Sequence, residues 1–136
     1  MVDHEEIFNL SYWRVTGNRV GGTSFFDAFQ DALIRSSDEV AQKMKGGDLD
    51  RFRAALGLAI VHLAAYYGKG KPDTILQGIA QRQNRSGRNI EPHLYDYFLA
   101  ALLETVELFD PEYTDEERSA WEIVLRPGLE YLKRMY

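Results

Sequence analysis

The chain has 136 residues, 45% of them hydrophobic and 27% charged, with a net charge of −5. That balance fits one folded domain over residues 1–136 around a single core, and it excludes wholesale disorder. The negative charge argues against a global grip on nucleic acid or an anionic membrane, and the lack of cysteine excludes disulfides, thiolate metal sites, Fe–S clusters and cysteine nucleophiles.

The first residues, Met1 to Glu6, are acidic and have no basic-then-apolar leader pattern. Phe25, Phe26, Phe29 and Leu33 then repeat at helical spacing. Ser36 and Glu39 have capping-box spacing and predict a short helix carrying Val40 and Met44, closed by Gly46-Gly47. Asp48 is placed to cap the clearest helix, Leu49 to Tyr67, whose stripe is Phe52, Leu56, Ala59, Ile60 and Leu63. The apolar-rich run within it, Leu56 to Tyr66, is interrupted by His62 and falls short of the roughly 20 residues that span a bilayer. The expectation is therefore a cytoplasmic protein with no membrane role.

After a Gly- and Lys-rich loop, the pattern predicts a helix from Thr74 to about Arg85 with Ile75, Leu76, Ile79 and Ala80 inward. Pro92 falls where a long helix begins, a position that tolerates its missing N–H. Tyr95, Phe98, Leu99, Leu102, Leu103 and Val106 form that helix's stripe, and Asp110-Pro111 ends it. Thr114 and Glu117 form a second capping box. The last helix runs to about Met135 with Trp121, Val124, Leu125, Leu129 and Leu132 inward, and Pro127 is expected to kink it. No alternating strand pattern occurs. The expected fold is all-α, with about seven helices of uneven length in a folded leaf rather than a symmetric bundle.

The order and spacing of these helices resemble the globin family over nearly the whole chain. Phe25-Phe26-Asp27-Ala28-Phe29 and Ser36 to Ala41 resemble the second and third helices of small bacterial single-domain globins. Ile79 to Arg82, Gly87 and Pro92 to Asp96 resemble the proximal helix and the start of the next, and Trp121 and Gly128 suit the family's final helix. The resemblance implies a globin-like fold with a haem pocket at set positions, where this chain departs from the pattern. The proximal histidine is replaced by Gln83, and a carboxamide ligates iron poorly because its nitrogen lone pair is delocalised. The aromatic that packs on haem is replaced by Met44, the distal polar residue by Phe52 ahead of Leu56, and the distal aromatic of the second helix by Gln30. With Tyr95, these are the candidate pocket residues.

Other groups have plainer readings beside sharper ones. His93 is an alternative haem ligand or a first-turn helix residue, and His62 is a boundary histidine with a partner. A lone Met44 on an apolar face is usually core filling. Arg82, Arg85 and Arg88 suit a helix C-terminus, or else anchor an anionic group. Eight tyrosines are more than a core of this size needs, which points to a protein partner or a homodimer. No nucleophile elbow, phosphate loop or metal motif occurs, so no enzyme activity is expected. The expectation is a haem-free, globin-fold binding or regulatory module for a small apolar ligand or a protein partner, with no cofactor. The alternative is a haem globin of unusual ligation that binds oxygen or nitric oxide.

Overall fold

A computed structural model describes residues 2–136, and among them the chain forms seven helices and one minimal hairpin. Helix α1 spans His4–Thr16, followed by strands β1 (Arg19–Val20) and β2 (Thr23–Ser24). Then come α2 (Phe25–Arg35), α3 (Asp38–Met44), α4 (Leu49–Lys69), α5 (Thr74–Gln83), α6 (Leu94–Phe109) and α7 (Asp115–Arg134). The all-helical expectation holds apart from the hairpin. Two-residue strands are too short to show alternation, and their signature is the turn: Gly21 and Gly22 have φ of 56° and 80°, and the pairing is Arg19 with Ser24 and Val20 with Thr23.

Side chains start most helices. Asp3, Ser24, Ser37, Asp48, Asp73 and Thr114 each accept a backbone N–H of the first turn, and Thr114 with Glu117 completes a capping box. At α3 the cap is Ser37, one residue after the Ser36 suggested by spacing. The Ser36 hydroxyl instead donates to the carbonyl of Leu33 at 2.6 Å and closes α2. Helix α5 ends at Gln83 rather than Arg85, and Ile75 faces outward at 41% exposure. Helix α6 begins at Leu94, with Pro92 in the turn before it. Helix α7 continues through Pro127.

Ten of the sixteen residues of α6 are buried, so it is the axis of the core. Helix α2 packs on α6, α4 and α1 pack on α7, and α2 crosses α4. Leu102, Trp121, Ile60, Leu63 and Phe29 have no exposed surface, and Leu56, Leu99 and Leu129 are buried beside them. The α4–α7 crossing is close because Gly128 has no side chain. A Cβ there would lie 2.7 Å from Leu63 Cδ2 and 3.2 Å from Leu63 Cα. The tyrosines are taken up by the fold: Tyr95 and Tyr131 are buried and the other six half-buried. The most exposed large apolar side chain is Trp13, at 79%.

A buried polar knot ties α1 to the end of α6 and to α7. Arg14 donates to both carboxylate oxygens of Asp110 at 2.7 and 3.0 Å, and the Ser11 hydroxyl donates to Asp110 at 2.5 Å. Trp121 Nε1 in turn donates to Ser11 Oγ at 2.9 Å. Burial alone would raise the Asp110 carboxyl, but the guanidinium, the hydroxyl and the N–H of Glu112 outweigh it and hold the pKa below the ordinary value.

Three stability effects are expected in chemical denaturation. Leu102→Ala should cost about 2–5 kcal/mol, as large-to-small core changes do. Gly128→Val should cost at least about 1–3 kcal/mol through overpacking against Leu63. A depressed carboxylate confers stability that is complete above its unfolded pKa of about 3.9 and is lost as the pH falls through its lower folded value. Asp110→Asn should therefore cost about 3 kcal/mol at neutral pH, where it leaves Arg14 only its longer contact with exposed Glu112 at 3.6 Å, and should flatten the acid limb. An unchanged acid limb would mean that Asp110 does not carry it.

Candidate functional site

Helices α2 to α7 line an apolar cavity of about 120 Å³ that opens to solvent on one side. Phe52, Leu56, Ala59 and Leu63 of α4 line one side, and Leu129 and Leu132 of α7 line another. Leu33, Val40 and Met44 approach from α2 and α3, and Ile79 and Gln83 from α5. Leu94, Tyr95 and Phe98 of α6 complete the interior. Exposed Ala55 and Arg88, with half-buried Lys43, border it where it meets solvent.

Of the six candidate pocket residues, Met44, Phe52, Leu56, Gln83 and Tyr95 come together here. Gln30 does not. It is buried on α2, but its Nε2 donates to the carbonyl of Leu49 at 2.7 Å and ties α2 to the start of α4. Leu33, one turn later, lines the cavity in its place. Nothing in the sequence distinguished the two, because both belong to the same helical face.

The Gln83–Tyr95 pair supplies the cavity's polar contact. Tyr95 Oη donates to Gln83 Oε1 at 2.7 Å. Burial pushes the Tyr95 phenol far above its ordinary pKa, so the hydroxyl keeps its proton and remains the donor. Loop 84–90 folds back over the end of α5: the N–H groups of Arg88, Asn89 and Ile90 bond to the carbonyls of Arg82, Asn84 and Gln83. That fold carries Arg88 and Ile90 to the cavity.

The three arginines do not form one anchor. The Arg85 guanidinium lies 4.8 Å from the centre of the Tyr136 ring, and Arg82 lies back along α5 beside Gly78. Arg88 alone of the three borders the cavity, where Lys43 joins it. Lys43 pairs with Glu91 at 2.9 Å and donates to the carbonyl of Asn89 at 2.6 Å. Sequence reasoning missed Lys43, because it reaches the site only through the packing of α3 against loop 84–90.

The histidines lie off the cavity lining. His93 is exposed, with Nε2 2.8 Å from Glu39 Oε2. His62 Nδ1 is 2.6 Å from Asp73 Oδ2, the carboxylate that caps α5. Burial raises the Asp73 carboxyl, but the Leu76 N–H and His62 bring it below the ordinary value.

No family model and no curated protein matches the chain. Among solved structures it matches the crystal structure of PA3967 from Pseudomonas aeruginosa PAO1, described as structurally highly homologous to a human hemoglobin. The two share 29% identity over 98% of each chain, with a TM-score of 0.88. The chain therefore has the all-α globin fold, with its cavity lined by helices α2 to α7.

Burial also raises Tyr12 and Tyr113, but Tyr95 the most, so tyrosinate absorbance during alkaline titration should lose its last-rising phenol in Tyr95→Phe. The same variant should cost about 0.5–1.5 kcal/mol, the net worth of one hydrogen bond. An unchanged last step in Tyr95→Phe would assign it to Tyr12 or Tyr113.

Proposed function

We propose that the protein is a haem-free globin-fold binding module whose cavity takes a small apolar ligand. The carrying observation is the Gln83–Tyr95 pair. At the position where the globin pattern places an iron ligand stands an amide whose oxygen already accepts from a buried phenol. The donor set is a poor match for haem. An amide is a weak iron donor, and tyrosine ligates haem iron as in catalase, whereas Tyr95 holds its proton. His93 and His62 have carboxylate partners outside the cavity, which leaves Met44 as the donor for the alternative oxygen- or nitric-oxide-binding reading.

Size supports the same conclusion. Pockets for drug-sized ligands run to about 300–1,000 Å³. This cavity holds about 120 Å³, close to the ~150 Å³ apolar cavity that stays dry and takes benzene. Phe52 and Met44 border the remaining space.

Binding is favoured over catalysis because neither Gln83 nor a protonated Tyr95 acts as a base at neutral pH. We place the protein in the cytoplasm. Among the described residues, no helix is long and apolar enough to cross a membrane. A regulatory output would pass to a protein partner or a second copy, and exposed Trp13 offers apolar surface for that contact.

Hemin titration followed by the Soret band tests the proposal. The unmodified protein should take up no stoichiometric haem, Gln83→His little, and Gln83→His with Phe52→Gln more, because the double change returns a ligand and opens the distal side. Tight one-to-one uptake by the unmodified protein would overturn the haem-free reading.

A further inference from the structure

The border of the cavity carries one cation that the fold leaves uncompensated. Lys43 is neutralised by Glu91 at 2.9 Å. Arg88 is exposed, borders the cavity, and takes part in none of the ion pairs among the described residues. Its backbone N–H is fixed to the Arg82 carbonyl at 2.9 Å, so the fold of loop 84–90 holds the Arg88 backbone at this border.

We propose that the cavity binds a small amphiphilic monocarboxylate, with its apolar body between α4 and α7 and its carboxylate on Arg88. The proposal rests on the haem-free reading of the same cavity and adds the chemical class of the ligand. Three features set that class. The volume, about 120 Å³, limits the apolar body to the scale of about six carbons, the size of benzene. The planar guanidinium matches a carboxylate through two parallel N–H donors. One uncompensated positive charge, with Glu91 close by on Lys43, suits a monoanion better than a doubly charged phosphate.

Calorimetric titration of the intact protein with hexanoate and with hexanamide tests this, since the two differ in charge but little in shape. Hexanoate should bind about tenfold more tightly than hexanamide, about 1.4 kcal/mol. In Arg88→Gln, an exposed change that leaves the core intact, hexanoate should fall to the level of hexanamide while hexanamide is unchanged. Ala59→Met, which fills the cavity from α4, should weaken both. Equal binding of the two ligands to the unmodified protein, or a hexanoate preference that survives Arg88→Gln, overturns the carboxylate proposal and leaves the apolar cavity standing. Binding of neither ligand overturns both the proposal and the small-ligand function. A one-to-one Soret complex with hemin in the same preparation overturns the haem-free reading and the proposal with it.

Discussion

The close crossing of α4 over α7 sets the dimensions of everything between them. Gly128 lets the two backbones approach until a single Cβ would strike Leu63, and Leu63 is itself a wall of the cavity. Leu129 and Leu132, one and four residues after that glycine, supply the facing wall. The interhelical distance is thus fixed outside the cavity and then inherited by it. Interiors pack to crystal-like density, so a crossing held this tightly leaves little freedom for the space beside it to widen. The Asp110–Arg14–Ser11–Trp121 knot reinforces the geometry from the other end of α7, where a buried carboxylate is tolerated because four donors converge on its oxygens.

Within that frame, the chemistry of the cavity depends on a few of its lining residues. In an apolar space a phenol donates to an amide oxygen, and the pair offers neither a base nor a strong metal donor. Around them the lining is aliphatic and aromatic, which favours a ligand of like character. Charge enters only at the border, where Lys43 is paired with Glu91 and Arg88 is left without an ion-pair partner among the described residues. This division between an apolar interior and a cationic border underlies both the proposed function and the proposed ligand class.

Much of the fold was legible in the sequence because helix starts and helix faces are local properties. Asp48, and Thr114 with Glu117, begin their helices by bonding to N–H groups two or three residues away, and the stripes of α4, α6 and α7 follow from periodicity. Errors arose where neighbouring residues compete. Ser36 and Ser37 are both capable caps, and which one starts α3 depends on the Leu33 carbonyl claiming the first. Pattern alone turned Ile75 inward, whereas the packing of α5 buries Leu76, Ile79 and Ala80 and leaves Ile75 in solvent. The cavity was legible in its helical positions, Phe52, Leu56, Gln83 and Tyr95. At its rim, Arg88 was legible only as one of three arginines and Lys43 not at all, because the two meet there only after loop 84–90 folds back over α5. The Asp110 knot was invisible for the same reason: Ser11 and Asp110 are 99 positions apart, and no local signal marks the pair.

The central proposal is that the space between α4 and α7 is a small apolar cavity for a ligand other than haem. Diffraction from crystals pressurised with xenon tests it most directly, because xenon enters empty apolar cavities of this size and scatters anomalously. The account predicts one xenon site bounded by Leu56, Leu63 and Leu129, with no ordered water beside it. A chain of ordered waters through the cavity, or flat iron-bearing density between Phe52 and Gln83, would contradict it.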